Sequence, residues 1–240
     1  VVDDMSSGNL SLLDGLKIRV VPAGLLEVFY SDKAADPENR MQEEVHVIQG
    51  DFADHRVLKN ISDEKYDVVF HQAAIPRVSF SVENPSLTTD VNISSTVSLF
   101  EACAGNVARI VFASSSSVYG GADKMPTSES TPKSPKSPYA WQKSAIEDFS
   151  AMCWSLYKLD VVCLRYFNVF GPGQLGDSPY STAVSAWCHG AKNGTECRSD
   201  GDGTQSRDMC YVDNVVHANI LAANSERVFK GRFYNVACGD

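Results

Sequence analysis

Tyr139 and Lys143 stand four residues apart in SPYAWQK (137–143), directly after a Ser-Pro pair. Ser137 and Pro138 read as the N-cap and first position of a helix. The spacing then puts the phenol and the ammonium on one helix face. An ammonium beside a phenol favours phenolate, and a phenol of lowered pKa is a general base near neutral pH. Lys143 could also hold a ribose hydroxyl. Alone, Tyr-x-x-x-Lys is a weak pattern that chance supplies on many charged helix faces. It gains force from SSSSVYG (114–120), which brings hydroxyl donors to the end of an apolar run. A carboxylate is the third signal: Asp3 and Asp4 follow VV at the start of the chain. An Asp ending the second strand of a nucleotide-binding sheet can accept both ribose hydroxyls of an adenosine, and its charge repels a 2′-phosphate. MSSG after it could wrap the adenine. The plainer reading is that both acids cap a turn.

These groups need a scaffold that brings them to one rim. VHVIQG (45–50), YDVVFHQAA (66–74), ARIVFASS (108–115) and LDVVCLRYF (159–167) are continuous apolar runs, as expected of parallel strands covered on both faces. Helical stretches lie between them. One begins with Asn84 and Pro85 as N-cap and first turn and stops at Gly105. The helix after Ser137 places Ala145, Phe149, Met152 and Leu156 at helical spacing as a core face. Strand–helix alternation predicts an α/β fold with a doubly wound parallel sheet and right-handed crossovers. Ligands of such sheets bind beyond the carboxyl ends of the strands, where Asp3, Asp51, HQAA, SSSSVYG and YFN all fall. Residues 17–44 are ambiguous: VPAGLLEVFY suits a helix or a strand, and SDKAADPENR a polar loop. After Phe167 the chain turns loop-rich, in GPGQLGDSPYSTAV and KNGTECRSDGDGTQSRD.

The net charge of −9 argues against nucleic acid or an anionic membrane as partner, and no apolar run is long enough to span a bilayer. The seven cysteines are odd in number, contain no C-x-x-C and mostly sit in apolar runs. Buried reduced thiols and a cytoplasmic setting follow. The histidines are scattered, so no metal site is expected. There is no G-x-S-x-G nucleophile elbow. Asp213 in YVDN reads as a residue that caps or orients a helix.

Taken together, VVDDMSSG, GDFAD, YDVVFHQAA, FASSSSVYG, SPYAWQK, LRYFNVFGPGQ and GDGTQSRDMCYVDNVVHANILAA resemble the extended short-chain dehydrogenase/reductase family. Within it they look like the nucleotide-sugar 4-epimerases, nearest the UDP-N-acetylglucosamine 4-epimerases. They run in family order over nearly the whole chain. The resemblance implies a Rossmann-like NAD-binding domain over residues 1–166, a partial nucleotide-sugar-binding domain over 167–240, and 208–224 packing back on the first. It implies NAD contacts from Asp3, Asp4, Ser6, Ser7, Gly8, Asp51, Phe52, Gln72, Ala73, Ala74, Pro76, Thr89, Ala113, Ser114, Tyr139, Lys143 and Tyr166. Ser115 would hydrogen-bond the sugar O4, and Ser116 and Ser117 would touch the hexose. Asn168 and Arg207 would bind the diphosphate, Ala183 and Val184 would lie near the uridine, and Arg198 stands where relatives place an aromatic against uracil. Tyr139 would take the 4-OH proton while C4 passes hydride to NAD, with Lys143 as its partner. The 4-keto sugar would turn over, and hydride would return to its other face.

Related 4,6-dehydratases place Asp-Glu beside the hydroxyl; Ser116 and Ser117 stand there instead, which disfavours elimination. The glycine-rich turn, first strand and first helix of the family have no counterpart. At the usual spacing of about 20 residues between glycines and acid, one β-α unit is expected upstream of Val1. The strands flanking that missing strand should carry unpaired edges, and the family's sugar-binding cap should continue past Asp240. The implied activity is NAD-dependent 4-epimerisation of a UDP-hexose by a homodimer joined through helices 84–104 and 138–158. Two alternatives stand beside it: a UDP-glucuronate epimerase, decarboxylase or other nucleotide-sugar oxidoreductase of the same fold, and a non-catalytic binding domain or inactive fragment.

Overall fold

The computed structural model describes residues 1–6, 8–26, 44–63, 66–121, 125–177, 181–197, 199 and 202–239. Every strand pairing among them is parallel. β1 (Val2–Asp3), β2 (Ile18–Pro22) and β3 (Val45–Gln49) make one sheet in the order β1-β3-β2, and helix α1 (His55–Asp63) follows β3. β4 (Tyr66–His71), β5 (Val107–Ser115), β6 (Asp160–Tyr166) and β9 (Phe233–Val236) make a second, in the order β4-β5-β6-β9. β7 (Asn168–Phe170) and β8 (Met209–Tyr211) form a short separate ladder. Among the described residues no strand joins β1 to β4, so each keeps an open edge, as the sequence leads one to expect. The ambiguous VPAGLLEVFY resolves at its start: Val21 and Pro22 finish β2 and Ala23–Leu25 makes a 3-10 turn, while 27–43 lie outside the described residues.

Period-2 alternation in the central strands explains their uniform apolarity. Ile110, Phe112, Val161 and Cys163 face one way, onto Leu99, Phe100, Ile146 and Cys153. Val111, Val162 and Leu164 face the other way, onto Val215, Ala222 and Phe229. Helix α5 (Pro138–Tyr157) thus covers one face, and helix α7 (Val212–Asn224) returns to cover the other, on β5 and β6. Arg109 fixes the end of α7: its Nη1 donates to the Ala222 and Ser225 carbonyls at 2.7 Å each, while Nε holds Asp160 at 2.9 Å. Cations suit a helix C-terminus because orphan carbonyls collect there. Asp213 sits in the first turn of α7, at the opposite end.

Two local expectations need correction. The face of α5 that meets the core carries Ala140, Gln142, Lys143, Ile146, Ser150 and Cys153. Ala145 and Phe149 are half-buried, and Met152 and Leu156 are 51% and 66% exposed. The sheet lies against the stripe one position along from the apolar one, because polar Gln142, Lys143 and Ser150 have partners there. Asn84 does stand at a helix start, before α3 (Pro85–Thr89), but its side chain makes no capping bond. Its Nδ2 donates back to Phe80 O, in the turn closing helix α2 (Val78–Glu83). The long helix predicted beyond it is broken by a π turn, Asp90–Ser95, before α4 (Thr96–Cys103).

Candidate active site

Register brings the site together. His71 pairs with Phe112 and Ser115 pairs with Tyr166, so the ends of β4, β5 and β6 share one rim. Ser137 caps α5, its Oγ accepting Ala140 N at 3.1 Å, with Pro138 at the first position. Tyr139 N donates to Ser81 Oγ at 3.1 Å, which ties α5 to α2. Tyr139 and Lys143 then face the rim across a cavity of about 390 Å³. Gln72, Ala74, Pro76, Ala113, Ser114, Ser115, Tyr139, Lys143 and Tyr166 line it, with Phe167, Val169 and Val215, which sequence reasoning did not single out.

The chemical centre is a pair of hydroxyls. Ser115 stands beside the Tyr139 hydroxyl and pulls its pKa down, and its Oγ accepts Ser117 N at 3.2 Å. Lys143 Nζ donates to Ala113 O at 2.7 Å and lies 4.6 Å from the Phe112 ring centroid and 5.8 Å from that of Tyr139. Burial pushes the Tyr139 phenol up to about 12, with the Ser115 hydroxyl pulling the other way. Burial pulls Lys143 down to about 8. The expected lowering of the phenol by its ammonium neighbour is therefore not found in this state. Both side chains are buried, so desolvation disfavours both charges, and Lys143 spends its short bond on a carbonyl rather than on the phenol.

A buried frame stands behind the rim. Glu147, four residues beyond Lys143 on the same helix face, accepts Ser114 Oγ at 2.6 Å and Arg165 Nε and Nη2 at 2.8 and 2.6 Å. Arg165 lies between the Tyr119 and Phe233 rings, 4.7 and 3.6 Å from their centroids. On the other side Asn92, in the π turn, brackets Ile75 (N to Oδ1 at 2.8 Å, Nδ2 to O at 3.0 Å) and reaches Gln142 at 2.8 Å. Gln142 passes on to Thr88 and Thr89 at 2.9 and 3.1 Å. π turns gather at functional sites, and this one fixes the 74–76 wall. Tyr166, Gln72 and Asn219 close a third cluster, with Asn219 Nδ2 donating to the Tyr166 hydroxyl at 2.7 Å and Tyr166 to Gln72 at 3.0 Å. Glu147 had a sequence signal: residues 139, 143 and 147 repeat every four. Asn92 and Asn219 had none.

The remaining expected residues fall elsewhere. Asp3 and Asp51 end or follow neighbouring strands β1 and β3, and Gly50 N donates to Asp3 O at 3.0 Å. Asp3 accepts Met5 N at 2.7 Å, Asp4 accepts Ser6 N at 2.9 Å, and Asp51 accepts Ala53 N at 2.8 Å. The Ser6 side-chain bond, then its amide, holds the Asp4 carboxyl below its usual range. Phe52 packs on the His71 ring, 5.0 Å between centroids. Thr89 bonds Pro85 O and Gln142 rather than facing the cavity, because it closes the helical turn. Ala73, Ser116 and Ser117 adjoin the lining without belonging to it, and Ser117 Oγ is buried without a partner. Asn168 spends its amide on Asp208 O at 2.9 Å, Ala183 and Val184 open helix α6 (Ala183–Asn193), and Arg207 is exposed, donating to Ser206 O. Ser7 and Arg198 lie outside the described residues.

These residues fit a dinucleotide. A Cβ on Gly8 would stand 2.8 Å from Asp3 Oδ1, so the missing side chain keeps that carboxylate uncrowded. At the other end, small residues of the rim, Ala74 and Ala113, leave room beside Tyr139 and Lys143.

A family model described as the NAD dependent epimerase/dehydratase family matches residues 24–237. A solved UDP-N-acetylglucosamine 4-epimerase from Methanobrevibacter ruminantium M1, in complex with UDP-N-acetylmuramic acid, is 35% identical. It superposes with a TM-score of 0.82 over 100% of this chain and 68% of that one. The UDP-glucose 4-epimerase of Mycolicibacterium smegmatis is 35% identical over 196 residues, 80% of this chain and 61% of its own. The human dTDP-D-glucose 4,6-dehydratase is 34% identical over 191 residues, 79% of this chain and 53% of its own. The chain spans 65% and 53% of the length of the first two curated relatives it matches.

Proposed function

Because the chain belongs to the NAD dependent epimerase/dehydratase family, we propose that it serves the NAD-dependent 4-epimerisation of a UDP-hexose, with a UDP-N-acetylhexosamine preferred. One observation carries the reading. Ser115 and Tyr139 open with Lys143 into one cavity whose described lining holds no carboxylate. Such a site can move a proton at a carbinol, yet it offers no acid/base pair for eliminating water one carbon away. That favours epimerisation over the dehydration performed by relatives of similar identity, and Ser116 and Ser117 supply no acid either.

In this reading Ser115 grips the sugar O4 and Tyr139 exchanges its proton. A bound NAD would supply the hydride acceptor and donor for C4 and a positive charge beside the phenol. Asp3, kept uncrowded at Gly8, would hold the adenosine ribose, and Lys143 the nicotinamide ribose. The Ser115 hydroxyl pulls the phenol down against its burial, and the positive charge of a bound nicotinamide would pull the same way, the direction a general base needs. Residues 167–240 form the sugar side, with Asn168 and Arg207 at the diphosphate and Ala183 and Val184 near the uridine. The similarity to a UDP-N-acetylglucosamine 4-epimerase supports the N-acetylated substrate. A homodimer belongs to the same reading, supported by Leu87, Trp141, Met152 and Leu156, which leave apolar surface on the two helices concerned. Sedimentation showing only monomer at micromolar concentration would remove that part.

The test is product analysis by proton NMR. The protein in its natural full length is given NAD and, separately, UDP-GlcNAc, UDP-glucose and UDP-glucuronate. Interconversion of UDP-GlcNAc with its C4 epimer is expected, faster than for the other two. A 4-keto-6-deoxy product, or preference for the glucuronate, overturns the assignment.

A further inference from the structure

Three polar side chains from three elements meet at the cavity wall: Gln72 directly after β4, Tyr166 at the end of β6 and Asn219 on α7. β5 lies between the two strands, so the group bridges strands that do not pair. Gln72 and Tyr166 line the cavity, whereas Asn219 does not. One carbonyl fixes the direction of every proton in the group. Asn219 donates from Nδ2 to Val215 O at 2.8 Å, one helical turn back; the reverse sense would set its carbonyl oxygen against another. Nδ2 also donates to the Tyr166 hydroxyl at 2.7 Å. Gln72 Nε2 donates to Asn219 Oδ1 at 3.2 Å, and turning that amide over would again oppose two oxygens. Tyr166 has one proton and two acceptors in reach, Gln72 Oε1 at 3.0 Å and Asn219 Oδ1 at 3.1 Å. Gln72 already supplies Asn219 Oδ1, so the Gln72 oxygen takes that proton. The three side chains close a head-to-tail ring in which each bond polarises the next. Gln72 keeps one Nε2 proton that has no partner among the described residues, on a residue exposed at the cavity.

We propose that Asn219 is a positioning residue: it sets the sense of the Gln72 amide, so that this wall offers an N–H donor and takes an acceptor oxygen of NAD. Without Asn219 the Gln72 amide is free to turn over, and its carbonyl oxygen would then repel the oxygen that its nitrogen should hold. Asn219 acts through Gln72 and touches no ligand itself. Val215 O, a helix backbone atom, is what the whole arrangement is referred to, which is why a residue on the far-face helix governs a group on the opposite side of β5. The inference rests on the proposed function only in taking NAD as the ligand.

The experiment is a double-mutant cycle in the protein of natural full length, read by calorimetric titration with NAD and, in a separate arm, with UDP. Asn219→Leu should weaken NAD binding by about 2- to 10-fold, the range for one neutral hydrogen bond, and Gln72→Leu by at least as much. The double variant should bind NAD no more weakly than Gln72→Leu alone, because the two residues act as a unit; a merely structural Asn219 would add its own loss. Asn219→Ala, which removes the same groups without adding apolar bulk, should agree with Asn219→Leu. NMR of the ligand-free protein supplies a second readout: one Gln72 side-chain amide proton exchanges with water more slowly than the other, and Asn219→Leu removes the difference. Unchanged NAD affinity in Asn219→Leu, additive losses in the double variant, a loss confined to UDP, or equal exchange of the two Gln72 protons in the parent would each overturn the proposal. None of these measurements involves turnover, so a product analysis that refutes the proposed epimerisation leaves them intact.

Discussion

Glu147→Gln keeps the shape of the side chain and removes its charge, which makes it the sharpest probe of the frame behind the active site. Glu147 and Arg165 expose 1% and 0% of their side chains, and their two hydrogen bonds measure 2.8 and 2.6 Å. A glutamine would turn its amide nitrogen toward the guanidinium and leave a cation uncompensated, with Arg165 Nη1 already unpartnered. Removing one partner of such a buried pair costs about 3–5 kcal/mol. The Ser114 hydroxyl, which donates to the same carboxylate at 2.6 Å, puts the cost toward the upper part of that range. Urea unfolding reads it as a fall in the midpoint at unchanged slope. The double variant Glu147→Leu, Arg165→Met removes both charges and should be less destabilised than Glu147→Gln alone, because apolar replacements of a buried pair are often close to neutral. A Glu147→Gln protein within about 1 kcal/mol of the parent would show that the pair is not held out of water as described. A double variant as unstable as the two single changes summed would show that the charges do not act on each other.

Three further outcomes are expected. Tyr139→Phe in the full-length protein should lower turnover by about 10²–10⁴-fold, the range for losing a general acid–base group, while calorimetry still registers NAD binding; near-normal turnover would remove the phenol from the chemistry. His71 is buried, shares a 2.9 Å hydrogen bond with Thr96 and is pulled down to about 3, chiefly by burial and then by the Lys143 charge. Its folded pKa lies below its unfolded one, so the unfolded chain takes the proton first and stability falls as pH drops from about 6.5 towards 3. By about pH 4.5 the two pKa values imply a loss of about 3 kcal/mol in urea unfolding, which His71→Gln should not show; an NMR titration in which the native ring protonates near pH 6 contradicts this. Gly120 sits at φ +68° with its Cβ position 1.8 Å from Ser134 O, so Gly120→Ala should cost well over about 1 kcal/mol in thermal or urea melts, and an unchanged midpoint would deny that close approach.

The strands and the main helix could be read from the chain because their signals are local. Uniform apolarity marks β3 to β6, and a Ser-Pro start marks α5. The Tyr139–Lys143 face and the hydroxyl at Ser115 were legible for the same reason: helix period and strand end alone bring 139 and 143 to one side and 115 to a rim. Which stripe of α5 meets the sheet was not legible. Met152 and Leu156 carry the apolar pattern, yet Gln142, Lys143 and Ser150 are buried, because their partners, Asn92, Ala113 and Ile146, satisfy them. The ionisation of the site was decided the same way. Spacing puts an ammonium near a phenol, but only the packing around them determines how much water each retains, and here desolvation raises the phenol and lowers the ammonium. The chain's own pattern supplies which groups stand on which element; the tertiary structure decides what each group can reach, since a partner many residues away leaves no mark in local spacing.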